Sequence, residues 1–340
     1  MKKILILLLV LVASASFAFS EGVKETEGED IVTVYAYDSF AGDWGPGAEV
    51  IPAFEEKTGI KVNLVSAGDA GEMLSRIIME GDACPADVVL GITDDMAYKA
   101  YEADILSPYE SPVLETMADH LKFDPENRLL PFDYGVFSFV MDTESDIPVP
   151  SSLEDLTSDI YKDQVVLIDP RTSSVGLGLL MWTYNVLGED DYLSWWSAMR
   201  ENMLTMADGW SSAYGLFTEG EAPLVISYTT SPVYHVLNED TTRYQAVIFP
   251  EGHQETIEGI GILKNAKHRE NAEIFVDFIL TEGQEDIAVL NSMYPVNSTI
   301  ELPDAYEYAP EPEILFTSDS DVVENHLEDI LSDWIEVMTN

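Results

Sequence analysis

The hydrophobic pattern of the chain changes period repeatedly, and each change marks an element. Residues Ile31–Ala36 (IVTVYA) are β-branched and aromatic, the pattern of a buried strand. Val50, Ile51 and Phe54 in residues 50–57 predict a short helix that Gly59 stops. Residues 61–65 (KVNLV) alternate and predict a second strand. Residues 70–81 carry Met73, Leu74, Ile77 and Ile78 at helical spacing and close on Gly81, and 86–90 (ADVVL) predict a third strand. Strand, helix, strand, helix, strand is the grammar of an α/β unit with right-handed crossovers and a parallel sheet.

The grammar restarts further on. Val165–Ile168 predicts a strand, 174–186 and 193–203 two helices, 214–219 part of a third, and 224–227 (LVIS) a strand. Between the two blocks lie a strand-like run at 132–141 and a Pro-marked loop at 147–151. Beyond Pro250 come a strand at 259–263 (GIGIL) and a helix at 269–280, with Ala272, Phe275, Val276 and Ile279 on one side. The predicted architecture is two α/β lobes, each a mostly parallel sheet flanked by helices. Lobe 1 comprises 31–135 plus 260–300 and lobe 2 comprises 136–259, with crossings near 132–141 and 249–261. Residues 301–340 form an acidic C-terminal segment. There Val322, Val323, Leu327, Ile330, Leu331 and Trp334 recur at helical spacing, which predicts a docked amphipathic helix with a solvated acidic face. Ligands of open α/β sheets lie outside the carboxyl ends of strands, and two such lobes enclose a ligand by hinge closure.

The first residues set the expected compartment. Lys2 and Lys3 precede an unbroken apolar run at 4–12, and Ser16-Phe17-Ala18 and Ala18-Phe19-Ser20 are both suitable cleavage sites. Residues 1–20 therefore read as a cleaved signal peptide, with 21–30 a charged, solvated leader and the mature protein periplasmic or secreted. No Cys follows the apolar run to take a lipid, and no later segment has 18 consecutive apolar residues. Length and composition suit two ordinary cores: 340 residues, 46% hydrophobic and 23% charged. Charge changes the picture more. With 63 Asp plus Glu against 16 Lys plus Arg, the formal net charge is −47. Such a surface repels nucleic acid and anionic lipid and concentrates cations, or serves only as a solubilising shell. The single Cys, Cys84, excludes an internal disulfide.

Catalytic and metal motifs are thinly represented. The histidines (His120, His235, His253, His268, His326) are scattered without metal-ligand spacing, Gly176-Leu177-Gly178 lacks a third Gly and a phosphate-loop Lys, and no Gly-x-Ser-x-Gly occurs. No cofactor, metal or catalytic residue is assigned.

Several segments, in one order along the chain, carry a resemblance. They are VYAYDSFAGDWGPG from Val34, MEGDACPADVVLG from Met79, PFDYGVFSF from Pro131, DPRTSSVGLGLL from Asp169, GWSSAYGLFTEG from Gly209, SYTTSPVYH from Ser227 and MYPV from Met293. Together the chain resembles the thiamine-binding periplasmic proteins from about residue 31 to about residue 300. The resemblance implies a two-lobed type II periplasmic-binding-protein fold, thiamine or its phosphate esters as ligand, and the membrane permease of an ABC importer as partner. It implies ligand-binding roles for Asp69, Ala70, Ser173, Ser174, Trp210, Tyr228, Thr229, Thr230, Ser231, Pro232 and Tyr234, with Tyr37 and Trp44 as wall residues. One departure stands out: family members carry Trp immediately before Met-Tyr-Pro-Val, where this chain has Ser292. A monomer is expected.

Each of these residues also has a plainer reading. Thiamine is a flat thiazolium cation joined to an aminopyrimidine, and an aromatic face under such a cation contributes roughly 0.5–2 kcal/mol. Tyr and Trp are equally good core fillers with a polar tip. Asp69 balances the cation or simply caps the helix that starts near Gly71. Thr172-Ser173-Ser174 offers hydroxyls and helix N–H groups to an anion or is an ordinary cap, and Thr229-Thr230-Ser231 before Pro232 reads the same way. Two rivals remain. One is a binding protein for another organic cation (a polyamine) or a metal ion. The other is a thiamine-degrading enzyme of the same fold, whose only nucleophile would be Cys84, in acidic surroundings that raise a thiol pKa.

Overall fold

A computed structural model describes residues 30–339. The strands follow one path: Lys61–Ser66, Ile31–Ala36, Val88–Thr93, His253–Leu263, Leu130–Asp142, Leu224–Tyr228, Val165–Ile168, Thr205–Ala207. Both ends of the path are parallel, as the α/β grammar predicts: Ile31–Ala36 lies parallel to Lys61–Ser66 and Val88–Thr93, and Val165–Ile168 lies parallel to Thr205–Ala207 and Leu224–Tyr228. The centre is antiparallel, because His253–Leu263 and Leu130–Asp142 pair with each other and with their neighbours in the opposite sense. The sheet is therefore mixed rather than wholly parallel.

Those two central strands are unusually long, 11 and 13 residues. Leu130–Asp142 pairs with His253–Leu263 through Val136, then with Leu224–Tyr228 from Phe137 onward. One strand thus leaves one lobe and enters the other, which makes the pair a hinge. The sequence reading starts the second strand at 259, although it begins at His253. Residues 253–258 (HQETIE) are polar except for Ile257, yet buried, and a buried, largely polar strand has no apolar period to detect.

Packing explains the layers. In the first lobe, helices Gly47–Thr58 and Arg269–Ile279 cover one face, with the Phe54 ring 5.1 Å from Phe275 and 5.4 Å from Phe278. Helix Ala70–Glu80 covers the other face with buried Met73, Leu74 and Ile77. Each such side chain contributes about 1.5–3 kcal/mol by leaving water. In the second lobe, Ser174–Leu187 and Tyr192–Asn202 bury Trp182 and Trp196. The C-terminal helix Leu327–Thr339 docks there, with Trp334 edge-on to Trp196 at 5.6 Å and the Arg200 guanidinium donating to the Val337 carbonyl at 2.7 Å. Its buried Leu327, Ile330, Leu331 and Trp334 match the stripe read from the sequence.

Several short elements escape the periodicity reading: helices Ala97–Glu102, Ser231–Glu239 and Gln284–Asn291, and strand Thr205–Ala207. Helix Trp210–Thr218 also starts four residues before the predicted one. The signal-peptide reading of 1–20 lies outside the described residues, as does all but the last residue of the leader. Among the described residues, no helix is long and apolar enough to cross a membrane.

Candidate functional site

The lobes meet around a cavity of ≈ 360 Å³. Its organising residue is Asp69, the N-cap of helix Ala70–Glu80. The carboxylate accepts from its own helix at Ala70 N (2.6 Å) and, across the cleft, from Trp210 N (3.0 Å) and Ser174 N (3.4 Å). Ser174 and Trp210 each begin a helix of the second lobe, where N–H groups lack intrahelical partners and the dipole favours an anion. One carboxylate therefore joins three helix starts and latches the lobes. Burial pushes its pKa up to about 6, against the pull of the Trp210 and Ala70 N–H groups. Glu72 N to the Thr172 carbonyl (3.2 Å) and Ser211 Oγ to Asp38 (3.1 Å) add further cross-cleft contacts.

The walls are aromatic. Trp210 stacks on Tyr214 (4.9 Å between centroids, 21°) and lies 6.0 Å from Trp44, which stands half-exposed on the opposite lobe. The Trp210 indole N–H donates to Ser227 Oγ at 2.8 Å, so the ring is held rather than loose. Tyr228 stacks on Phe137 at 5.1 Å, and Tyr234 packs edge-on to His235. Tyr214 O–H and His235 Nε2 are 2.9 Å apart, and His235 Nδ1 meets Glu239 at 2.7 Å.

The floor is acidic. Asp133 and Glu258 sit opposite each other on the two hinge strands, so their side chains share one face. The side chains of both are buried. Asn291 Nδ2 donates to Asp133 Oδ2 and to the Tyr37 hydroxyl, each at 2.8 Å. Asp133 Oδ1, Glu258 Oε2 and Ser292 Oγ have no hydrogen-bond partner. Desolvation raises both acids: Glu258 is pushed up to about 7, against a hydrogen bond from Tyr37 and with the Asp69 charge adding to it, and Asp133 rises well above its ordinary value, with the Glu258 charge adding to it. Burial likewise raises Tyr37 and Tyr228 well above the usual phenol range. Among the described residues lining the cavity there is no Lys or Arg.

The sequence-derived candidates divide cleanly. Tyr37, Trp44, Asp69, Ser174, Trp210, Tyr228, Ser231 and Tyr234 all line the cavity. Ala70, Ser173, Thr229, Thr230 and Pro232 do not; all are buried behind the wall. Ser173 acts as a helix cap, its hydroxyl accepting from Val175 N at 3.2 Å, and Thr229 lines a separate hollow on the other face of the hinge. Ser292, where the family pattern has Trp, lines the cavity in left-handed backbone (φ 52°) at the end of helix Gln284–Asn291. Sequence reasoning missed Tyr214, His235, Glu239, Asn291 and the Asp133–Glu258 floor. Tyr214 and His235 stand inside the quoted segments GWSSAYG and SYTTSPVYH, so that signal was available. Nothing in the local pattern marks Glu258. Cys84 is buried outside the cavity lining, and burial pushes its thiol up to about 11. Among the described residues, no group of three His, Cys, Asp or Glu is placed to hold a metal ion.

Comparison with known proteins agrees with this geometry. Residues 84–316 match the family described as bacterial extracellular solute-binding protein. The thiamine-binding periplasmic protein of Brucella melitensis is 37% identical over 308 residues, covering 90% of this chain and 91% of that one. Its counterpart in Escherichia coli is 39% identical over 283 residues, covering 83% and 85%. A solved periplasmic thiamin binding protein superposes with a TM-score of 0.86 at 35% identity, covering 91% of this chain and 96% of that one. These matches place the fold with the two-lobed type II periplasmic binding proteins.

Proposed function

The chain belongs to the family of thiamine-binding periplasmic proteins, and from that premise we propose that its cleft captures free thiamine and delivers it to the permease of an ABC importer. The observation that carries the ligand assignment is the lining itself. Aromatic faces from both lobes and the carboxyls of Asp69, Glu239 and Glu258 surround a cavity without Lys or Arg. A flat organic cation is the ligand that such walls favour, through cation–π contact and charge together. The cavity volume, ≈ 360 Å³, falls in the range of small-molecule sites, about 300–1,000 Å³.

The structure favours thiamine over its phosphate esters at the helix starts. Ser174 N and Trp210 N, the N–H groups suited to a phosphate, are already taken by Asp69. A phosphate on the tail has to lie toward the mouth of the cleft. The protein acts in the periplasm as a monomer after removal of residues 1–20, with lobe 1 at 31–135 plus 260–300 and lobe 2 at 136–259. It has no catalytic step, since the sole thiol is buried, protonated and off the cavity wall.

Calorimetry on the mature chain with thiamine, its mono- and diphosphate, and putrescine tests the reading. One-to-one binding of thiamine with micromolar or tighter affinity, roughly −8 kcal/mol or better, is expected. Absence of heat at millimolar thiamine, or tighter binding of putrescine, overturns it.

A further inference from the structure

The two hinge strands place Asp133 and Glu258 directly opposite each other, at the crossing where the lobes join. Neither meets a cation, and one oxygen of each (Asp133 Oδ1, Glu258 Oε2) is buried without a partner. Native proteins rarely leave buried carboxylate oxygens unmatched. Two adjacent carboxyls out of water cannot both stay ionised without an opposing charge. The Tyr37 hydroxyl and the Asn291 amide favour the ionised forms of Glu258 and Asp133, but the remaining neighbours are acidic or phenolic. Asp69 faces the floor from its helix cap and Tyr228 from the second lobe, and Asp95 follows strand Val88–Thr93. His235, the one basic group on the lining, is engaged with Tyr214 and Glu239.

We propose that the Asp133–Glu258 pair holds one proton while the cleft is empty and gives it up when the cation enters, so that capture of the ligand expels a proton. The inference rests on the thiamine reading, because it needs a ligand with a fixed positive charge. The balance is simple: the proton on the carboxyl pair goes to bulk solvent, and the incoming thiazolium takes over as counter-charge to the anion left behind. No covalent bond to the ligand forms or breaks. Glu258, whose carboxyl lines the cavity, is the residue that senses the cation, and Asp133 is a positioning residue that keeps a proton on the pair. The consequence is selective. A neutral molecule of the same shape cannot expel the proton, so the floor discriminates for charge even though the walls accept any flat ring.

The test is calorimetry of thiamine binding to the full mature chain in buffers of low and high ionisation heat, such as phosphate and Tris, from pH 6 to pH 8. The expected release is about half a proton per thiamine near pH 7, rising toward one near pH 6. Glu258→Gln should bind thiamine with little proton release at pH 7 and a flatter affinity profile. Asp133→Asn provides a second variant and should also lose most of the release. Heats independent of buffer, with thiamine bound, overturn the proton coupling and leave the thiamine reading intact. Failure to bind thiamine in every buffer overturns the reading itself. Wild-type release persisting in folded Glu258→Gln or Asp133→Asn removes the pair as its source and sinks the inference. If either variant fails to fold, the other variant and the wild-type buffer series still decide.

Discussion

Gly71 offers a perturbation that separates closure from folding. It is the second residue of helix Ala70–Glu80, and a Cβ added there would lie 2.6 Å from the Thr172 carbonyl oxygen and 2.7 Å from its carbon. Thr172 belongs to the other lobe, in the loop that also accepts Glu72 N. Gly71→Ala therefore wedges the cleft at its tightest contact. The overlap exists only when the lobes are closed, and relieving it by backbone shifts costs about 1–3 kcal/mol. At about 1.4 kcal/mol per tenfold, thiamine affinity should weaken by roughly 5–150-fold. The fold itself should not suffer. Ala is the better helix former by up to about 1 kcal/mol, so the ligand-free melting temperature should stay level or rise. Affinity and stability then move in opposite directions, which a generally damaging substitution cannot do. Titration calorimetry gives the affinity, scanning calorimetry the stability, and stopped-flow fluorescence should place most of the loss in faster release. Unchanged affinity in a folded variant would show that binding does not bring residue 71 against residue 172.

Other perturbations probe the wall, the latch, the thiol and the floor. Trp210→Ala removes a face stacked on Tyr214 and opposed to Trp44, and should weaken thiamine by roughly 1–3 kcal/mol with the circular dichroism intact; unchanged affinity would take Trp210 out of the contact set. Asp69→Asn keeps the shape but loses the charge that holds three helix starts, so release should speed up at both low and high salt, because a buried contact is poorly screened; a wild-type release rate would leave Asp69 as a helix cap only. Cys84→Ser should bind normally, and thiamine incubated with the wild type and aniline should survive; Cys84-dependent turnover by chromatography would make the protein an enzyme. Glu258 has a folded-state pKa raised to about 7 from 4.5, so the ligand-free fold binds extra protons between those values. Its stabilising contribution is present below pH 4.5 and lost as pH rises through 7. Wild type should therefore gain stability relative to Glu258→Gln on acidification from pH 7 to pH 5, and a constant difference in melting temperature across that range would contradict the assignment.

Much of the architecture was legible in local pattern, where one period persisted over a whole element. The stripe Met73, Leu74, Ile77 in helix Ala70–Glu80 and the stripe Leu327, Ile330, Leu331, Trp334 at the C-terminus are both buried as the spacing requires. Strand Ile31–Ala36 has the predicted bounds. Reading failed where burial and polarity disagree. The largely polar run His253 to Glu258 lies inside a strand because its backbone pairs with Leu315–Phe316 at one end and with Leu130–Asp142 from Glu255 on, not because its side chains are apolar. The start of helix Ser231–Glu239 was legible in Pro232 after a run of hydroxyls, but its extent was not read, because Thr-Thr-Ser-Pro is the composition of a turn as well as of a helix start.

For the site, the sequence by itself determined the chemistry on offer: aromatic residues and an Asp at strand-following loops, a surplus of carboxylates and an isolated thiol. Segment order along the chain was enough to point to a family and its ligand. Which atoms meet was decided only by the tertiary structure. Asp69 caps its own helix by a local bond, yet its bonds to Ser174 and Trp210 span 105 and 141 residues of chain. Asp133 and Glu258 become neighbours only because two hinge strands happen to align in register. Side-chain type is a property of position in the chain, whereas desolvation and charge repulsion depend on which distant strands exclude water from the same few cubic ångströms, and no local period carries that information.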